Sequence, residues 1–143
     1  MANALYDSGR DAFLQGSVNW LTMPIRAALV DITAYTVNLN PSGTGNTFWA
    51  SVATAARVGF SAASLGTKTT DGAGVADAAD TVFSAVSGPT VGAIVIFRSS
   101  ATANASDWQL IAYIDTATGL PVGPNGGDIT VQWDAGANKI FKL

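Results

Sequence analysis

SGPTVGAIVIFRSS at residues 87–100, then DWQLIAYIDTATGLPVGPNGGDITVQWDAGANKIFKL at residues 107–143, together hold four apolar runs bounded by turn residues. Val91 to Phe97 is apolar almost throughout, the pattern of a central strand covered on both faces. Trp108 to Ile114 places Trp108, Leu110, Ala112 and Ile114 on one face and Gln109, Ile111 and Tyr113 on the other. Asp128 to Asp134 alternates most cleanly, with Ile129, Val131 and Trp133 inward and Thr130 and Gln132 outward. The connection before it is held in tight turns by Gly119, Pro121, Gly123, Pro124, Gly126 and Gly127. Lys139 to Leu143 reads as a short closing strand whose lysines blunt a sheet edge. These runs predict consecutive strands of one C-terminal antiparallel sheet over residues 88–143.

Working back, the periodicity predicts a strand over Ile25 to Tyr35. Ala27, Leu29 and Asp31 share one face and Ala28, Val30 and Ile32 the other, so both sides need cover. Asp31 reads as a turn or capping carboxylate. Asn38 to Asn46 is a loop by composition, and Thr47 caps a brief helix through Phe48, Trp49, Val52 and Ala53. Further strands are predicted over Arg57 to Leu65 and Thr81 to Val86, with a long loop or ribbon between them anchored by Val75. At the N-terminus, Asn3 can cap a helix over Ala4 to Gln15, with Asp7 at the favourable end of its dipole and Gly16 closing it. A helix this short must dock on something, by default its own sheet. The sum is a mainly β chain: an antiparallel β-sandwich of about seven strands with a short N-terminal helix and one further short helix. The 143 residues form a single domain, 1–143, in which 1–20 is an N-terminal helical arm.

Composition narrows the chemistry. Cysteine and histidine are absent and all ten acids are Asp, which removes the commonest metal ligands and nucleophile–base pairs. The net charge of −3 argues against a nucleic-acid partner. No apolar run is long enough for a membrane span, and the opening residues lack the pattern of a signal peptide. Synthesis in a cytoplasm-like compartment is therefore expected. The 12% charged content is about half the usual fraction, and Gly, Ser, Thr and Asn fill the gap. Such a surface suits packing against neighbours better than life as a concentrated free monomer.

Three constellations invite a site. Asp71, Asp77 and Asp80 lack the spacing of a calcium loop and read as turn residues. GLPVGPNGG at 119–127 lacks the lysine and following helix of a phosphate loop. Asp115 and Asp128 bracket one connection, and turn capping explains both. No catalytic residue, cofactor or metal is expected. Trp108 and Trp133 sit at core positions of their strands. Trp20 and Trp49 lie outside the clear strands and, with Leu5, Tyr6 and Phe13 of the arm, are the candidate partner contacts.

Three segments resemble a family of small virion proteins of tailed bacteriophages. They are MANALYDSGRDAFLQG (1–16) with Trp20 and LVDITAYTVNL (29–39); ARVGFSAASL (56–65) with TDGAGVADAADTVFSAV (70–86); and LIAYIDTATGLPVGPNGGDITVQWDAGANKIFKL (110–143), the most specific. The resemblance implies a non-enzymatic capsid decoration or cement protein on the virion head, made in the host cytoplasm. It further implies the major capsid protein as partner, and a homo-oligomer for which analogy favours a trimer. A tail or head-fibre component acting as a receptor- or glycan-binding or adaptor module is the alternative. The loop Asn38 to Asn46 differs from the more acidic-apolar segment of the relatives, so a contact made there can have a different partner.

Overall fold

A computed structural model of the chain describes residues 3–40, 46–60, 64–100 and 105–143. Its centre is a five-stranded antiparallel sheet. In chain order its strands are β1 (Ala4–Leu5), β2 (Ile25–Val30), β3 (Arg57–Phe60), β7 (Ala93–Arg98) and β8 (Gln109–Ile114), in the spatial order β1-β8-β7-β2-β3. β4 (Thr69–Thr70), β5 (Val75–Asp77) and β10 (Phe141–Lys142) form a small sheet in the order β10-β5-β4. β6 (Thr81–Phe83) and β9 (Ile129–Val131) form a ribbon. The mainly β, sandwich-like architecture expected from the sequence is what forms.

The sheet has two covered faces because its central strands leave no polar side. Ala27 and Leu29 enter one core and Ala28 and Val30 the other, as the alternation in β2 predicts. The β7 residues Ala93 to Phe97 are completely buried. Burying each of their larger side chains is worth roughly 1.5–3 kcal/mol. The small sheet, the ribbon and the 115–122 connection supply cover to one face; on the other, Tyr35, Trp49, Val52 and Ala56 pack down from the connection between β2 and β3. On this second face a stack runs from Trp108 to Phe97 to Trp49, with ring centroids 5.5 and 4.9 Å apart. The Arg57 guanidinium lies 5.0 Å over Trp49 and donates to the carbonyls of Trp49 and Val52.

Three expectations need correcting. The last third does not make one sheet: β7 and β8 pair in the centre, while β9 pairs with β6 and β10 with β5. The inward side chains of β9 and β10 face the central sheet from the opposite layer, so burial is satisfied by facing rather than by pairing. Second, a bulge between Ile96 and Phe97 pairs Ala112 with Ile96 but Leu110 with Phe97. The extra residue, Ile111, reverses the alternation, sending Leu110 and Tyr113 to one core and Ile111, Ala112 and Ile114 to the other.

Third, the N-terminal helix is α1 (Asp7–Leu14), not Ala4 to Gln15. Ala4 and Leu5 pair with Tyr113 and Ala112 instead, and the Tyr6 N–H continues the ladder to the Ile111 carbonyl at 2.9 Å. Satisfying the bare edge of β8 outweighs three residues of helix. Gly16, at φ +72°, closes α1 as expected. Asn3 caps a different element: its Oδ1 accepts from the N–H groups of Asp115 and Thr116. The docked arm and the 47–49 segment together cover the β8 edge, with Leu110 N–H bonded to Thr47 O at 3.0 Å and Trp49 N–H to Trp108 O at 2.8 Å.

Candidate functional site

The five side chains expected to meet a partner are used inside the chain. Tyr6 is wholly buried, and its hydroxyl lies 2.6 Å from that of Tyr35. Leu5 packs in the core under β8, and Phe13 is half-buried with its ring 6.0 Å from that of Phe141. Trp20 is buried edge-on against Phe141, and its indole N–H reaches the carbonyls of Thr69 and Asp77. Trp49 is the middle of the aromatic stack. Trp20 and Trp49, expected as candidate partner contacts, are thus buried in the chain's own two cores. Lying outside regular strands, they serve as the apolar lids that irregular segments bring to the two sheet faces.

The acids resolve into architecture. Asp31 takes the Thr33 N–H and hydroxyl, Asp71 the N–H groups of Ala73 and Val75, and Asp134 that of Gly136. The bonds at Asp71, with that from Ala73 foremost, hold its carboxyl below the usual range. Asp77 pairs with Lys139 at 2.7 Å, Asp80 accepts from Trp133 N–H, and Asp128 from Ala85 N–H. Asp71, Asp77 and Asp80 thus serve three separate contacts. Among the described residues no group of three or more His, Cys, Asp or Glu is placed to hold a metal ion, and no helix is long and apolar enough to cross a membrane.

One concave feature among the described residues is a groove of about 720 Å³. One wall is the β1 edge and the turn after β8, at Thr116 to Thr118; the other is the chain from Gln132 through β10. Trp133 lines it, half-buried, with its indole N–H donating to the Ala79 carbonyl at 3.1 Å. Lys139 and Arg10 also line it, each already paired, with Asp77 and with Asp7 at 2.8 Å. The Asp77 bond holds the Lys139 ammonium above its ordinary range.

No family model matches this chain, and no curated protein matches it. The site is therefore defined by its geometry.

Sequence reading missed this groove. It placed Trp133 in the core from alternation, and the ring does pack half-buried against that core. Pairing in β9 stops at Val131, however, two residues earlier, and Trp133 also lines the groove. The detectable signal was the DAGAN run after Trp133, a turn that ends the strand and lets the ring sit at a rim.

Proposed function

We propose that this chain is a non-enzymatic structural protein of a tailed-bacteriophage particle. In this reading it is a decoration or cement protein on the head that bridges major capsid subunits and forms a homo-oligomer, with a trimer favoured by analogy. The observation that carries the reading is a set of three exposed leucines flanking one packed junction, the Leu14 corner. Leu14, Leu21 and Leu143 are 87%, 52% and 57% exposed, and they extend from segments that meet through the Phe13–Phe141 and Trp20–Phe141 ring contacts. Large side chains left in water beside so firmly packed a junction favour a neighbour that covers them. The low charge density and the resemblance over three segments support the same assignment. Many weak contacts of this kind add up on a symmetric lattice.

A reconstruction of the assembled particle tests it. Density for this chain at capsomer junctions, with the Leu14 corner against a neighbour, is the expected result. Density confined to the tail overturns the head assignment. The tail or head-fibre reading, as a receptor- or glycan-binding module, draws on the Trp133 groove rather than on Trp20 or Trp49.

A further inference from the structure

The groove beside Trp133, whose ring also packs against the core, carries polar side chains that the packing of the sandwich does not use. Trp133 is tied at ring and backbone: its indole N–H donates to Ala79 O at 3.1 Å, and its main-chain N–H donates to Asp80 Oδ1 at 3.0 Å. A half-buried ring held in this way presents a flat apolar surface without losing further rotamer freedom on binding. Around it, the side chains of Gln132, Thr118 and Asn138 line the groove and hydrogen-bond to none of the described residues. An amide offers both donors and acceptors, and a hydroxyl offers one donor and two lone pairs. Among the described residues, two cations of the lining are paired within the chain, Arg10 with Asp7 and Lys139 with Asp77, while exposed Lys142 and exposed Asp134 line the same groove with opposite charges. The formal charges of these six groups cancel.

We propose that this groove binds a neutral oligosaccharide, with one sugar ring stacked on Trp133 and its hydroxyls met by Gln132, Thr118 and Asn138. A pyranose has an apolar C–H face that suits the electron-rich indole face. Its rim of hydroxyls, each donor and acceptor at once, suits amides and hydroxyls rather than ions. The groove volume of about 720 Å³ lies within the usual range of ligand sites. A nucleic-acid strand also has rings to stack, but its phosphates would approach a chain of net charge −3. The inference does not depend on the shell assignment, though presentation in many copies would multiply a weak single-site affinity.

The test is a titration of the full chain with a panel of neutral gluco-, galacto-, manno- and N-acetylglucosamine oligosaccharides, followed by amide and indole NMR shifts. A uronic-acid oligosaccharide and a neutral decapeptide serve as comparisons. At least one neutral saccharide is expected to shift the Trp133 indole N–H and the Gln132 and Asn138 side-chain amides saturably. Gln132→Ala and Asn138→Ala, both at exposed positions, are each expected to weaken binding about 3- to 10-fold without changing the unfolding midpoint. Trp133→Ala is expected to abolish binding while the shifts of the central sheet stay in place. The proposal is overturned if no neutral saccharide shifts these groups at about 10 mM, a range in which even millimolar binders respond. It is equally overturned if only the uronic acid or the peptide does so, or if the shifts fall elsewhere.

Discussion

At the scale of single residues, the buried pair Tyr6 and Tyr35 sets the most specific expectation. Asn46 Oδ1 accepts the Asn38 N–H and the Tyr35 hydroxyl, each at 2.9 Å. With its one hydrogen spent there, Tyr35 must accept from Tyr6. Burial, the largest cause, raises Tyr6 well above its ordinary 10.0 and carries Tyr35 to about 12. In the unfolded chain both hydroxyls titrate near 10, whereas the folded chain keeps its protons. The folded state therefore holds more protons above pH 10, and its stability, complete below 10, falls as pH rises toward 12. Tyr35 alone accounts for roughly 2–3 kcal/mol of this loss. Urea unfolding from pH 8 to 12 measures it. Tyr35→Phe leaves the Tyr6 hydroxyl without its acceptor, so it is expected to cost about 1–3 kcal/mol at pH 8. It should also flatten the alkaline decline, and an unchanged slope would show that the pair is not what titrates. Gly9 gives a second test. A Cβ there would lie 2.8 Å from the Leu110 carbonyl oxygen and 2.9 Å from the Ile111 Cα, both backbone atoms. Although alanine is the better helix former, Gly9→Ala is expected to destabilise by about 1–3 kcal/mol through forced separation of α1 from β8. Chemical denaturation that shows a gain instead would mean the helix can lift away freely.

At the scale of elements, the small sheet depends on one side chain from outside it. The Trp20 indole N–H donates to Thr69 O at 3.1 Å and to Asp77 O at 3.2 Å, tying β4 to the end of β5. Trp20→Phe keeps most of the apolar contact with Phe141 but leaves both carbonyls without this donor. A cost of about 1–3 kcal/mol is expected. Amide exchange should quicken first in residues 69–77, well before β7, and uniform quickening would instead mark Trp20 as a support of the whole fold. The same elements show what could be read in advance. Strands β2 and β7 were legible because two covered faces leave an apolar run. The strand expected to reach Tyr35 nevertheless ends at Val30, where the chain turns at Asp31 and leaves Ile32 exposed rather than covered. The turn role of Asp31, expected of a carboxylate at the end of an apolar run, is the one it has, with Thr33 as its donor. The bulge at Ile111 was not legible, since all six residues of β8 are buried and the run Leu110 to Ala112 across it carries no polar residue to betray a change of face. The start of α1 was hidden as well: Ala4 and Leu5 suit a helix, and only the bare β8 edge, about a hundred residues away, draws them into a strand. Gln109 shows the same limit. It was placed on one face with Ile111 and Tyr113, with no role assigned, yet its amide is buried and donates to Ser8 Oγ, Thr47 O and Leu110 O.

For the whole molecule, the question is where the fold's rigidity is directed. One edge of the central sheet is closed by β1, α1 and the 47–49 segment, and both faces are covered, so the scaffold has little left to gain by rearranging. Leu14, Leu21 and Leu143 carry part of its unspent apolar surface, as do Ile32, Phe48 and Val82. Substitutions at the leucines separate stability from assembly. Leu14 is 87% exposed, and its removal takes nothing from the core. Leu14→Asp is thus expected to change folding stability by no more than about 0.5 kcal/mol. If the corner is covered in an oligomer, the same change places a charge in a desolvated contact and leaves it unpaired. Light scattering should then show the wild-type chain as an oligomer at micromolar concentration and Leu14→Asp shifted toward monomer, with far-UV spectrum and unfolding midpoint unchanged. Leu21→Asp should act in the same direction, and Val82→Asp, in the β6–β9 ribbon, should not. A wild-type chain that stays monomeric and binds particles equally well with and without Leu14→Asp would remove the corner from the contact. Equal effects at Leu14 and Val82 would mean that added charge acts through general repulsion, because a specific interface responds to position whereas self-repulsion responds only to the total.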